Sequence, residues 1–156
     1  MVDIVIDTCT LKHADDPKSK YFEYSVIFIQ KMFINTINCT VDEGFSMDET
    51  ENTSYLGYEY IKHLQPGTLG YRLITHLASN GRMDFVSNKP INNIKNYIEQ
   101  IIRNKKDRMF LRVTCNSTDK VLASHDFTDY QIKKRRTIRR DLEISIVTAE
   151  EINDEI

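Results

Sequence analysis

Val2-Asp3-Ile4-Val5-Ile6-Asp7-Thr8-Cys9 reads as an apolar strand, 2–6, that delivers an aspartate at its C-terminal tip. Far along the chain, Leu122-Ala123-Ser124-His125-Asp126-Phe127 repeats the pattern. In an open parallel sheet, ligands bind at that edge, in the crevice where the strand order reverses. Carboxylates arriving there from opposite ends of a sequence suggest a hard-cation site, because oxygen ligands suit Mg²⁺ or Mn²⁺.

Between these segments, apolar strands alternate with helical patterns. Strands are expected at 2–6, 37–41, 82–87, 120–124 and 143–147, and helices at 18–35, 54–64, 68–79, 91–102, 107–116 and 128–141. Helix 18–35 is apolar around much of its circumference and is expected to pack on two sides. Its aromatics Tyr21, Phe22, Tyr24, Phe28 and Phe33 read as core. Ile91, Ile94, Ile98 and Ile101 mark the clearest amphipathic helix. Strands separated by helices predict an α/β fold: a three-layer α/β/α sandwich around a mainly parallel five-stranded sheet. The boundaries expected are one domain over 1–150, an acidic insertion or flap at 43–53 and an acidic tail at 151–156.

The 156 residues suffice for one core, burying roughly 70% of the surface of the unfolded chain. The net charge of −2 conceals a run, 133–140 (KKRRTIRR), with six positive charges, so a polyanionic partner is not excluded. Cys9, Cys39 and Cys115 lack metal-ligand spacing and fit reduced thiols. No leader pattern and no apolar run of about 20 residues is present, so a cytoplasmic protein with no membrane contact is expected.

Each acid also has a plain structural reading. Asp7 fits a helix N-cap, Asp107 a first-turn acid, and Asp129 or Thr128 a cap for the basic helix. Glu59 lies at the edge of the stripe formed by Leu56, Tyr60 and Leu64, where it is either a solvated helix acid or points into a cleft. His125, adjacent to Asp126, should point to the opposite face as a packed or surface side chain. His13, His63 and His76 show no zinc-like spacing.

The order of these segments resembles the PIN-domain nuclease family along nearly the whole chain. The resemblance rests on Val5-Ile6-Asp7-Thr8-Cys9, Tyr58-Glu59-Tyr60-Ile61, Asp107-Arg108-Met109-Phe110-Leu111, Ala123-Ser124-His125-Asp126-Phe127-Thr128-Asp129-Tyr130 and Ile146-Val147-Thr148-Ala149-Glu150-Glu151. It implies a metal-dependent endoribonuclease with Asp7, Glu59, Asp107 and Asp126 as ligands of Mg²⁺ or Mn²⁺ and Asp129 as an auxiliary acid. Thr8 and Ser124 would bond to carboxylates or to the scissile phosphate. Lys133, Lys134, Arg135, Arg136, Arg139 and Arg140 are expected to bind RNA phosphates. Clustered carboxylates repel, so one should hold its proton to unusually high pH without metal.

Two departures stand out. Cys9 replaces the family's usual Asn, and Asp42 or Glu43 competes with Glu59 as second acid. An inactive PIN-like binding or regulatory module is therefore the alternative, with DNA cleavage a further one. A haloacid-dehalogenase-type phosphotransferase needs a second Asp where Cys9 stands. A metal-adhesion site needs serines where Cys9 and Leu11 stand. Small family members are often toxin-like, restrained by an inhibitory protein, and many form homodimers; both are expectations by resemblance.

Overall fold

A computed structural model describes residues 1–156. The chain runs β1 (Asp3–Ile6), α1 (Thr8–His13), α2 (Phe22–Ile34), β2 (Asn38–Asp42), α3 (Tyr55–His63), α4 (Leu69–Ser79) and β3 (Met83–Val86). It continues with α5 (Asn92–Ile101), α6 (Lys105–Asn116), β4 (Val121–Ala123), α7 (Ile132–Leu142), β5 (Ser145–Val147) and α8 (Ala149–Asn153). All five strands are parallel, in the order β3-β2-β1-β4-β5, with helices covering the sheet as a three-layer sandwich.

The order follows from apolar content. Ile4, Val5 and Ile6 of β1 are fully buried, as a strand covered on both faces requires. β3 lies at the edge and leaves Phe85 exposed. Strand order reverses between β1 and β4, which pair through Val5–Leu122 and Ile6–Ala123. Asp7 and Asp126 leave the sheet on either side of that reversal.

Several boundaries differ from expectation. α1 was not anticipated. α2 starts at Phe22 and buries one stripe, Ser25, Phe28, Ile29 and Met32, leaving Tyr24, Ile27 and Ile34 exposed. It packs against α1, α4 and α8, and of its aromatics only Phe28 is fully buried. α6 begins at Lys105 because Asn104 caps it, accepting from the Lys106 N–H at 2.9 Å. α7 begins at Ile132, later than 128, because the Asp126 carboxylate accepts from the N–H groups of Thr128 and Asp129 and turns the chain first.

Residues 43–53 contain neither helix nor strand. The loop closes on itself, with the Thr53 N–H donating to the Gly44 carbonyl at 3.0 Å. Gly44 has φ +83° and a Cβ there would meet the Thr53 hydroxyl, so the closure needs glycine. Residues 151–156, expected as a tail, belong to the fold. Thr148 and Glu151 form a capping box, Ile152 is buried, and Lys31 of α2 donates to the carbonyls of Asn153 and Ile156. No helix is long and apolar enough to cross a membrane.

Candidate metal centre

Four aspartates are buried: Asp3, Asp7, Asp42 and Asp107. Burying a carboxylate is costly unless donors surround it, and two of the four are surrounded. Asp3 accepts from the Thr40 hydroxyl and from the N–H groups of Thr118 and Asp119. Asp42 accepts from the Ser54 hydroxyl, the Tyr55 and Leu56 N–H groups and the Asn88 amide. Asp42 thus anchors the N-terminus of α3, which removes it as a rival second acid. Glu43 is exposed.

Asp7 and Asp107 differ. Asp7 occupies the N-cap position of α1 but caps nothing. One of its oxygens accepts from the Ser124 hydroxyl at 2.7 Å and the Cys9 thiol at 3.3 Å, while the other is buried without a donor. Asp107 is fully buried at the third position of α6, and neither of its oxygens has a hydrogen-bond donor. The Lys106 ammonium lies 3.9 Å from one of them.

Asp107, Asp126 and Asp129 present carboxylate oxygens all within 4.8 Å of one another. Burial first, then the adjacent Asp129 carboxyl and the Asp7 charge, hold Asp107 well above the usual carboxylate range, with Lys106 pulling the other way. Asp107 is thus the raised acid, and its burial contributes more than the clustering of charges on which the expectation rested. Asp7 and Glu59, expected as ligands beside Asp107 and Asp126, fall outside that group, and Asp129, expected as an auxiliary acid, takes a place in it. Asp7 is linked to it through Ser124, whose hydroxyl donates to Asp7 and accepts from the Asp126 N–H at 3.1 Å.

Glu59 stands at the margin. It is half-buried, and His63 lies 3.3 Å away but leaves that oxygen without an aligned donor. Thr8 is buried with its hydroxyl unpartnered. Cys9 keeps its proton, because burial and then the Asp7 charge raise its pKa, so it serves as a donor to Asp7.

The basic run divides. Arg135 turns inward, donating to the carbonyls of Tyr130, Ser124 and Asp126 and lying 4.0 Å over the Phe127 ring. It holds the loop that carries Asp126 and Asp129 and is not free for phosphate. Lys133 and Lys134 line a groove of about 360 Å³ with Gln100, Arg103, Gln131 and Thr137. Arg136 and Arg139 are exposed. Arg139 and Arg140 lie about 9 Å further along the helix axis than Lys133 and Lys134, and Arg140 pairs with Asp141 at 2.7 Å.

Sequence reasoning missed two participants and misassigned a third. Lys106 reads as one charge among many. Burial opposes its charge, but Asp7, Asp107 and Glu59 together outweigh that and raise its pKa. Buried Tyr130 donates its hydroxyl to the Asp107 carbonyl, fixing the start of α6 against the β4–α7 loop. Arg135 appeared as a ligand-binding cation and is a brace instead. Only the Tyr130 position beside Asp129 carried any signal.

His125 is a packed side chain, as expected. Its Nε2 accepts from the Ala149 N–H at 2.9 Å and its Nδ1 meets Nδ1 of His13 at 2.8 Å. This pattern assigns the proton of the neutral ring to Nδ1, which donates to His13. Burial first, then His13 and Arg135, lowers its pKa to about 3.

The arrangement is a cluster of carboxylates at the reversal of the sheet, with one ammonium beside it and a basic groove on α7. Comparison with family models, with curated proteins and with solved structures finds no match to this chain.

Proposed function

We propose that the chain is a divalent-metal-dependent endoribonuclease of the PIN-like type, working in a reducing, cytoplasmic setting. The observation that carries this reading is Asp107, which clusters with Asp126 and Asp129 while both of its oxygens are buried without a donor. A carboxylate in that position requires a proton or a cation. Asp126 and Asp129 complete the ligand set, Asp7 with one unpartnered buried oxygen stands behind it through Ser124, and oxygen-only donors fit Mg²⁺ or Mn²⁺. Such an ion, when bound, lowers the pKa of water and offsets the charge that develops on a phosphodiester under attack.

The chain's own residues do the positioning. Ser124 and Cys9 aim Asp7; Tyr130 and Arg135 hold the backbone around Asp107 and Asp126. Lys106 can donate to a phosphate oxygen that reaches the carboxylate cluster, and Thr8 has a hydroxyl to offer. Glu59 would act at the margin, to orient water or complete the ligand set. Arg103, Lys133 and Lys134 supply salt-dependent affinity for the RNA backbone. A toxin-like role under an inhibitory protein, and self-association, belong to the same proposal by resemblance.

Lys106 also favours the second reading, an inactive PIN-like binding module, because its ammonium already neutralises part of the acid charge. One experiment separates them: incubation of a mixed RNA pool with and without Mn²⁺, beside an Asp7→Asn/Asp126→Asn control. The nuclease cleaves only with metal, and the control should be slower by at least about a hundredfold. Equal cleavage by the control would expose a contaminant. Absence of both cleavage and calorimetric Mn²⁺ binding would establish the inactive module.

A further inference from the structure

Helix α3 turns Leu56, Gly57 and Tyr60 into the core and leaves two large rings in solvent, Tyr55 at 57% and Tyr58 at 56% exposure. Three residues apart on a helix, they are neighbours on its surface. With Asn52, Thr53 and Ser54 they line a recess of about 330 Å³.

The loop before the helix supplies this recess with negative charge. Glu43, Asp48, Glu49 and Glu51 are exposed, and none of them is paired with a lysine, arginine or histidine. Backbone hydrogen bonds hold them beside the recess. Glu43 precedes Gly44, whose carbonyl accepts from the Thr53 N–H at 3.0 Å, and the Asp48 carbonyl accepts from the N–H groups of Glu51 and Asn52. The loop is also seated on the helix. A Cβ on Gly57 would come within 2.1 Å of the Asn52 amide oxygen, which accepts from the N–H groups of Ser46 and Ser54. Rings and acids thus form one preorganised face, so binding there need not order the loop first.

Charge and shape select the occupant. A phosphate backbone would meet four uncompensated carboxylates, whereas a cation meets those carboxylates and the negative faces of two rings. The molecule already makes the second kind of contact, with the Lys62 ammonium 5.7 Å over the Tyr58 ring. A guanidinium suits the combination better, because its plane stacks on a ring while its edge forks onto a carboxylate. Beyond Tyr55 the surface turns basic, with Lys105, Arg108 and Arg112, and the complementary patch ends there.

We infer that the Tyr55–Tyr58 face of α3 and the acidic 43–51 loop are a docking surface for an arginine-rich segment of a partner protein, its guanidinium groups stacked on the rings and forked onto the loop carboxylates. The surface takes part in no step of the proposed hydrolysis and stands whether or not the acid cluster binds metal.

The test is fluorescence anisotropy in EDTA with a labelled twelve-residue peptide of alternating arginine and glycine, its lysine counterpart, and a labelled oligouridylate. Wild type should bind the arginine peptide at least about threefold more tightly than the lysine peptide. Tyr55→Ala/Tyr58→Ala should weaken arginine-peptide binding about tenfold, and Glu43→Gln/Glu49→Gln/Glu51→Gln by about the same factor. Tyr55→Phe/Tyr58→Phe, which keeps the rings, should stay within about twofold of wild type. Glu23→Gln/Glu155→Gln, which removes two exposed acids elsewhere, should bind like wild type. All the substituted side chains are exposed, so the thermal midpoint should not move. No binding of the arginine peptide, or equal affinity in the alanine and glutamine variants, would overturn the surface. Equal affinity for the two peptides would reduce it to unspecific charge attraction and overturn it too. Loss of oligouridylate binding in the tyrosine or glutamate variants would give the face to nucleic acid instead. Self-association of wild type in sedimentation, abolished by the glutamine triple, would give it to α7 of a second copy; either result overturns the inference.

Discussion

Asp42 and Asp107 are buried alike and have opposite surroundings. Asp42 accepts four hydrogen bonds, so Asp42→Ala strands buried donors and should cost about 3 kcal/mol, read from urea unfolding. Asp107 accepts none, and its charge is opposed by Asp7, Asp126 and Asp129. Asp107→Asn should therefore raise the thermal midpoint in EDTA by about 3–6 °C while weakening Mn²⁺ binding. A fall in the midpoint would show that Asp107 supports the fold. The proton on Asp107 also competes with metal. Its pKa is raised, so Mn²⁺ affinity should climb with pH above the ordinary carboxylate value of about 4, up to about tenfold per unit, until Asp107 is ionised. Calorimetry at several pH values measures this.

Helix α7 combines two roles that its residue types do not separate. Arg135 braces the β4–α7 loop through three carbonyls, whereas Lys133 and Lys134 line an open groove. Arg135→Ala should cost about 2–3 kcal/mol and loosen Mn²⁺ binding with it, since Asp126 and Asp129 ride on that loop. Lys133→Glu/Lys134→Glu should leave the midpoint unchanged, weaken RNA binding and lower its salt slope by about 1.4. Anisotropy across a salt series checks the second pair. An unchanged slope would remove α7 from the RNA surface. The stacked charges KKRRTIRR showed that a basic helix was present, but which arginine turned inward depended on the carbonyls of a loop five to eleven residues upstream.

Across the fold, two groups of opposite sign shape stability against pH. His125 has a folded pKa depressed to about 3, so its contribution is complete above the unfolded value of about 6.5 and is lost as pH falls below it. His13, lowered chiefly by burial, acts in the same direction. Asp107 is raised, so the folded state takes up its proton early and gains stability as pH falls towards 4. In EDTA the wild type should therefore lose little between pH 6.5 and 5. Asp107→Asn removes the compensating group and should show the histidine loss, about 1.4 kcal/mol per pH unit for each proton taken up on unfolding. Urea titrations at pH 8, 6.5 and 5 decide this, and parallel curves for the two proteins would contradict it.

The alternation of apolar strands with helical spacing was enough to predict the parallel sheet, its five strands and the edge at which Asp7 and Asp126 emerge, because side-chain period and strand direction are local properties. Which acids remain without donors was not local. Asp42 ends a strand and Asp7 follows one, yet Ser54, Tyr55, Leu56 and Asn88 converge on the first, while the second meets only Ser124 and Cys9 on one oxygen. Lys106 beside the acids and Arg135 in the loop likewise depend on how the elements that carry Asp7, Asp107 and Asp126 pack together. Burial and hydrogen-bond satisfaction are set by what the other end of the chain brings, and strand spacing carries no record of it.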